Sequence, residues 1–148
     1  NGRLAEVFKK SGYKVDAVDL YEYTYTKGGR DFLKCEDTGA TWIITNPPFN
    51  LAYEFIDHAN TLIKNAKNFR GGVALLLKAN FWHVKTNYEL FKKWNLNFVC
   101  PLTWRPNFSV EGKAPVLDMA WNIWNYNLPK DQTAYYIPLE KRKYESST

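Results

Sequence analysis

Asn46-Pro47-Pro48-Phe49 stands where a compact apolar run stops, and its residue types suit the handling of an amino group. Consecutive prolines make a stiff turn, because each locks φ and neither has an N–H to donate. The Asn46 amide oxygen and the Pro47 carbonyl are then two acceptors that one turn can aim at a single point. An exocyclic amino group donates two hydrogen bonds. Accepting both orients the group and favours a tetrahedral nitrogen whose lone pair faces an incoming electrophile. Phe49 adds an apolar face for a planar base or amide, a stacking contact worth about 1 to 3 kcal/mol for a nucleobase. The plain alternative is a strand-ending turn followed by a core phenylalanine.

Other candidates lie on either side. Asp19, at the end of an alternating run, has the acceptor geometry to take two hydroxyl hydrogen bonds from a ribose, and is equally well read as a helix cap or a solvated loop acid. Asp31 sits in a Gly-rich stretch where aspartate also serves simply as a turn former. Tyr21 and Phe32 have the shape to flank a planar ring, although in a chain with 17% aromatic residues such side chains usually build core. Trp104-Arg105-Pro106-Asn107-Phe108-Ser109, through to Lys113, mixes cations with aromatics. That mixture suits a surface gripping a phosphate backbone and stacking bases, or a plain connecting loop with a buried Phe108. Lys78 and His83 fall near the end of a buried run and approach the same region. Neither is required as a base, since an amino nitrogen can lose its proton after it has attacked an electrophile.

The elements that would position these residues follow from periodicity. Leu4, Val7 and Phe8 recur at helical spacing and Ser11-Gly12 ends the pattern, which predicts a helix over 3–11. Residues 14–20 alternate and predict a strand ending at Asp19. Residues 21–34, with Gly28-Gly29, read as a connecting loop with a very short strand around 31–33. The run 41–45 is a strand that Pro47 and Pro48 must terminate. Ala52, Phe55, Ile56, Ala59, Leu62 and Ile63 mark a one-faced helix over 51–67. Val73-Ala74-Leu75-Leu76-Leu77 reads as a strand covered on both faces. A helix over 86–94, a strand over 97–103 and a last strand over 116–124 complete the series, with a frayed polar tail beyond Lys141. This alternation predicts an α/β protein with a doubly wound, mainly parallel sheet and helices on both faces. The last strand, reached without a helix, is free to run antiparallel at the edge.

Composition bounds the class. With 148 residues and 45% hydrophobic content, one domain is expected. No apolar run approaches the roughly 20 residues of a membrane helix, so no membrane partner is expected. Cys35 and Cys100 share no metal-ligand spacing with each other or with His58 and His83, so neither a metal site nor a disulfide is expected. A reducing, cytoplasmic setting fits. The net charge of +5 is spread along the chain and permits a nucleic-acid partner without requiring one. The chain opens on Asn1-Gly2-Arg3 with neither Met nor a signal-like segment, which reads as a truncated beginning.

Asn-Pro-Pro followed by an aromatic residue resembles the catalytic motif of class I S-adenosylmethionine-dependent methyltransferases acting on adenine, cytosine or glutamine amino groups. The whole chain resembles the phage and bacterial DNA adenine methyltransferases. Asn1-Gly2-Arg3-Leu4 is similar to the end of their glycine-rich cofactor loop, and Val18-Asp19-Leu20 to the second strand with its ribose-binding acid. Gly29-Arg30-Asp31-Phe32-Leu33 is similar to the segment that contacts the cofactor adenine. Arg105-Pro106-Asn107-Phe108 and Ala120-Trp121-Asn122-Ile123-Trp124 are similar to the late strands. The resemblance implies a Rossmann-like fold, catalysis by Asn46, Pro47, Pro48 and Phe49, and S-adenosylmethionine held by Gly2, Asp19, Leu20, Asp31, Phe32 and Asn46. It implies substrate contacts from Phe49, Arg105, Phe108 and Lys113, with DNA as the partner and adenine flipped beside Phe49. Against the family pattern, the first strand, most of the glycine-rich loop and a separate target-recognition region are absent from residues 1–148. Methylation of RNA or of a protein glutamine, or a binding module without turnover, are the competing expectations.

Overall fold

Gly72 to Lys78 contains no polar residue before its last position, so a strand built from it must be covered on both sides. It is β2 (Gly72–Lys78), and all but Lys78 are buried. The computed structural model describes residues 2–22, 28–67, 70–108, 114–130 and 134–141. Two units divide the chain, Asn1–Gly39 and Ala40–Thr148.

In the second unit the remaining elements are β1 (Trp42–Thr45), α2 (Ala52–Asn65), α3 (Tyr88–Lys93), β3 (Phe98–Pro101), β4 (Met119–Asn125) and β5 (Tyr135–Tyr136). They form one mixed five-stranded sheet, in the order β1-β2-β4-β3-β5. β1 is parallel to β2 and β3 to β5, whereas β4 runs antiparallel to both β2 and β3. The class is therefore α/β. The last long strand is antiparallel, as its helix-free connection allows, but it lies inside the sheet rather than at the edge. Burial explains the difference, since Ala120, Asn122 and Trp124 are all shielded, which an edge position would not provide.

The register fixes which side chains share a face. Val73 is opposite Trp124, Leu75 opposite Asn122 and Leu77 opposite Ala120. On this face α2 and α3 lie together. Tyr126, two residues beyond Trp124, donates its hydroxyl to Asn60 of α2 at 2.7 Å. The Trp82 ring meets both Trp124 and Phe91 of α3 edge-on. Helices on both faces were expected; within this unit the described helices cover one. Along α2, Ile56, Ala59, Leu62 and Ile63 are buried at helical spacing, each of the isoleucine and leucine side chains contributing about 1.5 to 3 kcal/mol.

Two glycines let the strands approach at the amino end. Gly71 has φ of 97°, and a Cβ there would run into the Thr41 carbonyl. At Gly72 a Cβ would meet the Trp124 carbonyl. Gly72 N–H donates to Thr41 and Tyr126 N–H to Gly71, tying β1, β2 and β4 together at that point.

The first unit contains α1 (Arg3–Lys10), as the periodicity predicts, started by Gly2 at φ of 66°. Residues 14–20 form no strand ladder; only Val18 makes a bridge. The reason is local at the end of the run, where Asp19 accepts the Tyr21 N–H and the Asp19 and Leu20 carbonyls accept Arg30 and Gly29. The short strand expected around 31–33 is instead a single 3-10 turn, Phe32–Lys34. Asp31 caps it by accepting Leu33 N–H at 3.1 Å, a side-chain bond that competes with extended structure.

Candidate active site

The Asn46–Phe49 turn lies at the carboxyl end of β1. Thr45 is level with Leu75, while β2 continues for three more residues and pairs Lys78 with Met119 of β4. Pro47 and Pro48 cannot extend the ladder along that projecting end. Pro47 is buried, whereas Asn46, Pro48 and Phe49 are exposed, Phe49 by 42%. The Pro48 carbonyl accepts Leu51 N–H at 3.0 Å, opening the 3-10 turn Phe49–Leu51 that runs into α2. The Asn46 amide and the Pro47 carbonyl accept no hydrogen bond among the described residues. Two acceptors in adjacent residues are thus left for an outside donor.

Topology brings further side chains to this edge. Lys78 ends β2 there, and its ammonium sits 4.5 Å from the centre of the Phe49 ring. Such a cation–π contact contributes about 0.5 to 1 kcal/mol where solvent reaches it. Tyr53, in the first turn of α2, is exposed nearby in sequence. β3 ends at the same edge, so the segment from Trp104 to Phe108 follows from it, and Phe108 is 48% exposed rather than buried. Arg105 is not an open cation. Its Nε donates to Asp118 Oδ1 at 2.8 Å, a bond that holds the Asp118 carboxyl below its ordinary range and raises the guanidinium. Ser109 and Lys113 lie outside the described residues, as do Asn1 and residues 142–148.

All the cofactor candidates except Asn46 lie in the first unit. Two backbone bonds join the Asp19–Leu20 pair to Gly29 and Arg30, so Asp19 and Asp31 belong to one local loop. Each carboxylate has one oxygen committed to its own chain, Asp19 to Tyr21 N–H and Asp31 to Leu33 N–H. Lys34 approaches the second Asp31 oxygen at 3.7 Å. Leu20 and Tyr21 are exposed, and Phe32 is half-buried. Gly2 serves as the start of α1, its left-handed backbone suited to glycine.

Sequence reasoning missed several partners. Asn122, inside the apolar β4 pattern, is fully shielded and accepts the Trp82 indole N–H at 2.7 Å, which anchors the turn after β2 to the sheet. Its signal was a polar residue within a run of strand composition. Nothing in the spacing marked Asp118 as the partner of Arg105. Burial pushes the Cys100 thiol up, away from reactivity. Among the described residues no three His, Cys, Asp or Glu side chains are grouped to hold a metal ion, and no helix is long and apolar enough to cross a membrane. Comparison with protein-family models, curated proteins and solved structures finds no match to this chain.

Proposed function

We propose that this protein transfers a methyl group from S-adenosylmethionine to an exocyclic amino nitrogen, with adenine N6 in DNA as the first substrate to consider. One observation carries the reading: adjacent open acceptors, the Asn46 amide and the Pro47 carbonyl, at the carboxyl end of a strand beside an exposed phenylalanine. In parallel α/β sheets ligands bind at that end. The finer fold reading, a doubly wound Rossmann-like sheet of the class I methyltransferase type, belongs to the same proposal, as does a cytoplasmic setting.

Asn46 and Pro47 accept hydrogen bonds from the two amino N–H groups and hold the nitrogen with its lone pair outward. As that nitrogen gains positive charge, the Asn46 dipole stabilises it more strongly than in the ground state. Phe49 receives the flat face of the base. When bound, S-adenosylmethionine supplies an electrophilic methyl on a sulfonium. The chemistry of the first unit's side chains fits that molecule. Asp19 keeps a carboxylate oxygen for ribose hydroxyls, Asp31 is an acceptor suited to an amino group, and Leu20 and Phe32 offer apolar surface.

The test is product identification. The protein is incubated with methyl-labelled S-adenosylmethionine and, in parallel, unmethylated DNA, RNA and a glutamine peptide. N6-methyladenine in DNA is the expected product. Label in RNA or in the peptide would move the substrate; no label in any of them, with cofactor binding intact by calorimetry, would leave a binding module in place of the enzyme.

A further inference from the structure

The geometry points to Lys78 as the residue that binds the phosphodiester backbone beside the base received by Phe49, an assignment that rests on the amino-methylation reading above. Its ammonium lies 4.5 Å from the Phe49 ring centre, on a side chain that is only half-exposed. No carboxylate forms an ion pair with Lys78 among the described residues. The nearest comparison is Arg105 at the same sheet edge, which is neutralised by Asp118. Among the described residues the Lys78 ammonium meets the ring and no carboxylate, and a cation so placed gains by meeting an anion.

The backbone makes this placement firm. Lys78 is paired in register with Met119 at the last position of a strand whose preceding residues are buried, so its Cα cannot drift from the edge. The side chain above that Cα has a flexible four-carbon stem, and an ammonium on such a stem can turn from the ring to a neighbouring phosphate. A nucleotide whose base stacks on Phe49 carries its phosphate next to the ring that Lys78 already touches. Aromatic face and cation together match what a polynucleotide strand requires, and a neutral glutamine side chain in a protein would leave the ammonium without use. Lys78 is therefore a positioning residue: it fixes the strand while Asn46 and Pro47 hold the amino group.

Phosphate contact has a signature that structural roles lack, because each contact released from a strand changes the dependence of affinity on salt. Fluorescence anisotropy is measured for labelled single-stranded DNA and RNA of one sequence, across a salt series, with no cofactor present. Lys78→Met keeps the stem and removes the charge. Its log–log salt slope is expected to fall by roughly 0.7 unit per lost contact. Lys78→Arg should restore the slope. Lys64→Met, at the far end of α2 and thus at the opposite edge of the sheet, should leave it unchanged. Loss of slope on DNA alone, RNA alone or both identifies which polymer supplies the phosphate. An unchanged slope in Lys78→Met, or an equal loss in Lys64→Met, overturns the assignment. So does absence of nucleic-acid binding by the wild-type protein, and in that case label appearing in the glutamine peptide would still uphold methyl transfer.

Discussion

The Asp57 carboxylate accepts the Trp94 indole N–H at 2.8 Å, and the same oxygen takes the Lys93 ammonium at 2.7 Å. These bonds join α2 to the end of α3, but they are unequal. Trp94 is 5% exposed, so removing its acceptor strands a buried donor at a cost of about 1 to 3 kcal/mol. Lys93 is half-exposed, and a surface ion pair contributes about 0 to 1 kcal/mol. Asp57→Ala should therefore destabilise clearly more than Lys93→Ala in urea unfolding followed by fluorescence. Equal effects would show that the ion pair, not the indole bond, links the helices.

Gly71 supports a different prediction. Its φ of 97° and the Thr41 carbonyl beside it leave no place for a Cβ. At compatible glycine sites alanine stabilises by about 0.4 to 1 kcal/mol, whereas Gly71→Ala should destabilise by more than that and lower the urea midpoint accordingly. Gly12, also at positive φ but with open space around it, should tolerate alanine better.

Tyr126 should contribute to the alkaline limit of stability. Burial pushes its hydroxyl above the ordinary tyrosine range, and in the fold that hydroxyl donates to Asn60. Above pH about 10 the unfolded chain loses this proton while the folded one retains it, so stability falls as pH rises, by up to about 1.4 kcal/mol per unit. Below that pH the tyrosine contributes no slope. Tyr126→Phe should flatten the alkaline limb of stability against pH, measured by denaturant unfolding between pH 8 and pH about 11. An unchanged limb would place the titration elsewhere.

How far the sequence revealed these relationships depended on the range of the signal. The helices over residues 3–10 and 52–65 and the buried strand over 72–78 were legible because apolar spacing is a local property. The turn after β1 was legible because two prolines end a ladder wherever they occur. Residues 14–20 misled, since alternation gives strand character but not the partner that makes a ladder. Residues 31–33 misled because one aspartate side chain chose a capped turn. The position of β4 between β2 and β3, the two-residue β5, and the pairing of Arg105 with Asp118 are long-range choices that no window contains. At the candidate site, the open acceptors were expected from the motif, whereas the Lys78 contact with Phe49 required the register.

Asn46 carries the functional reading, and its substitution separates chemistry from folding. It is exposed and its side chain bonds to no described residue, so Asn46→Ala should leave unfolding by urea nearly unchanged. Phe49→Ala should weaken binding of a stacked base by about 1 to 3 kcal/mol. Asn46→Asp keeps an acceptor and adds a charge, and should retain more activity than alanine. The deciding measurement is the single-turnover rate of methyl transfer from labelled S-adenosylmethionine to unmethylated DNA by wild-type protein and by Asn46→Ala. Loss of one preorganised polar group predicts a fall on the order of a hundredfold or more. Transfer by Asn46→Ala at the wild-type rate would contradict the catalytic reading and leave the turn a structural stop to β1.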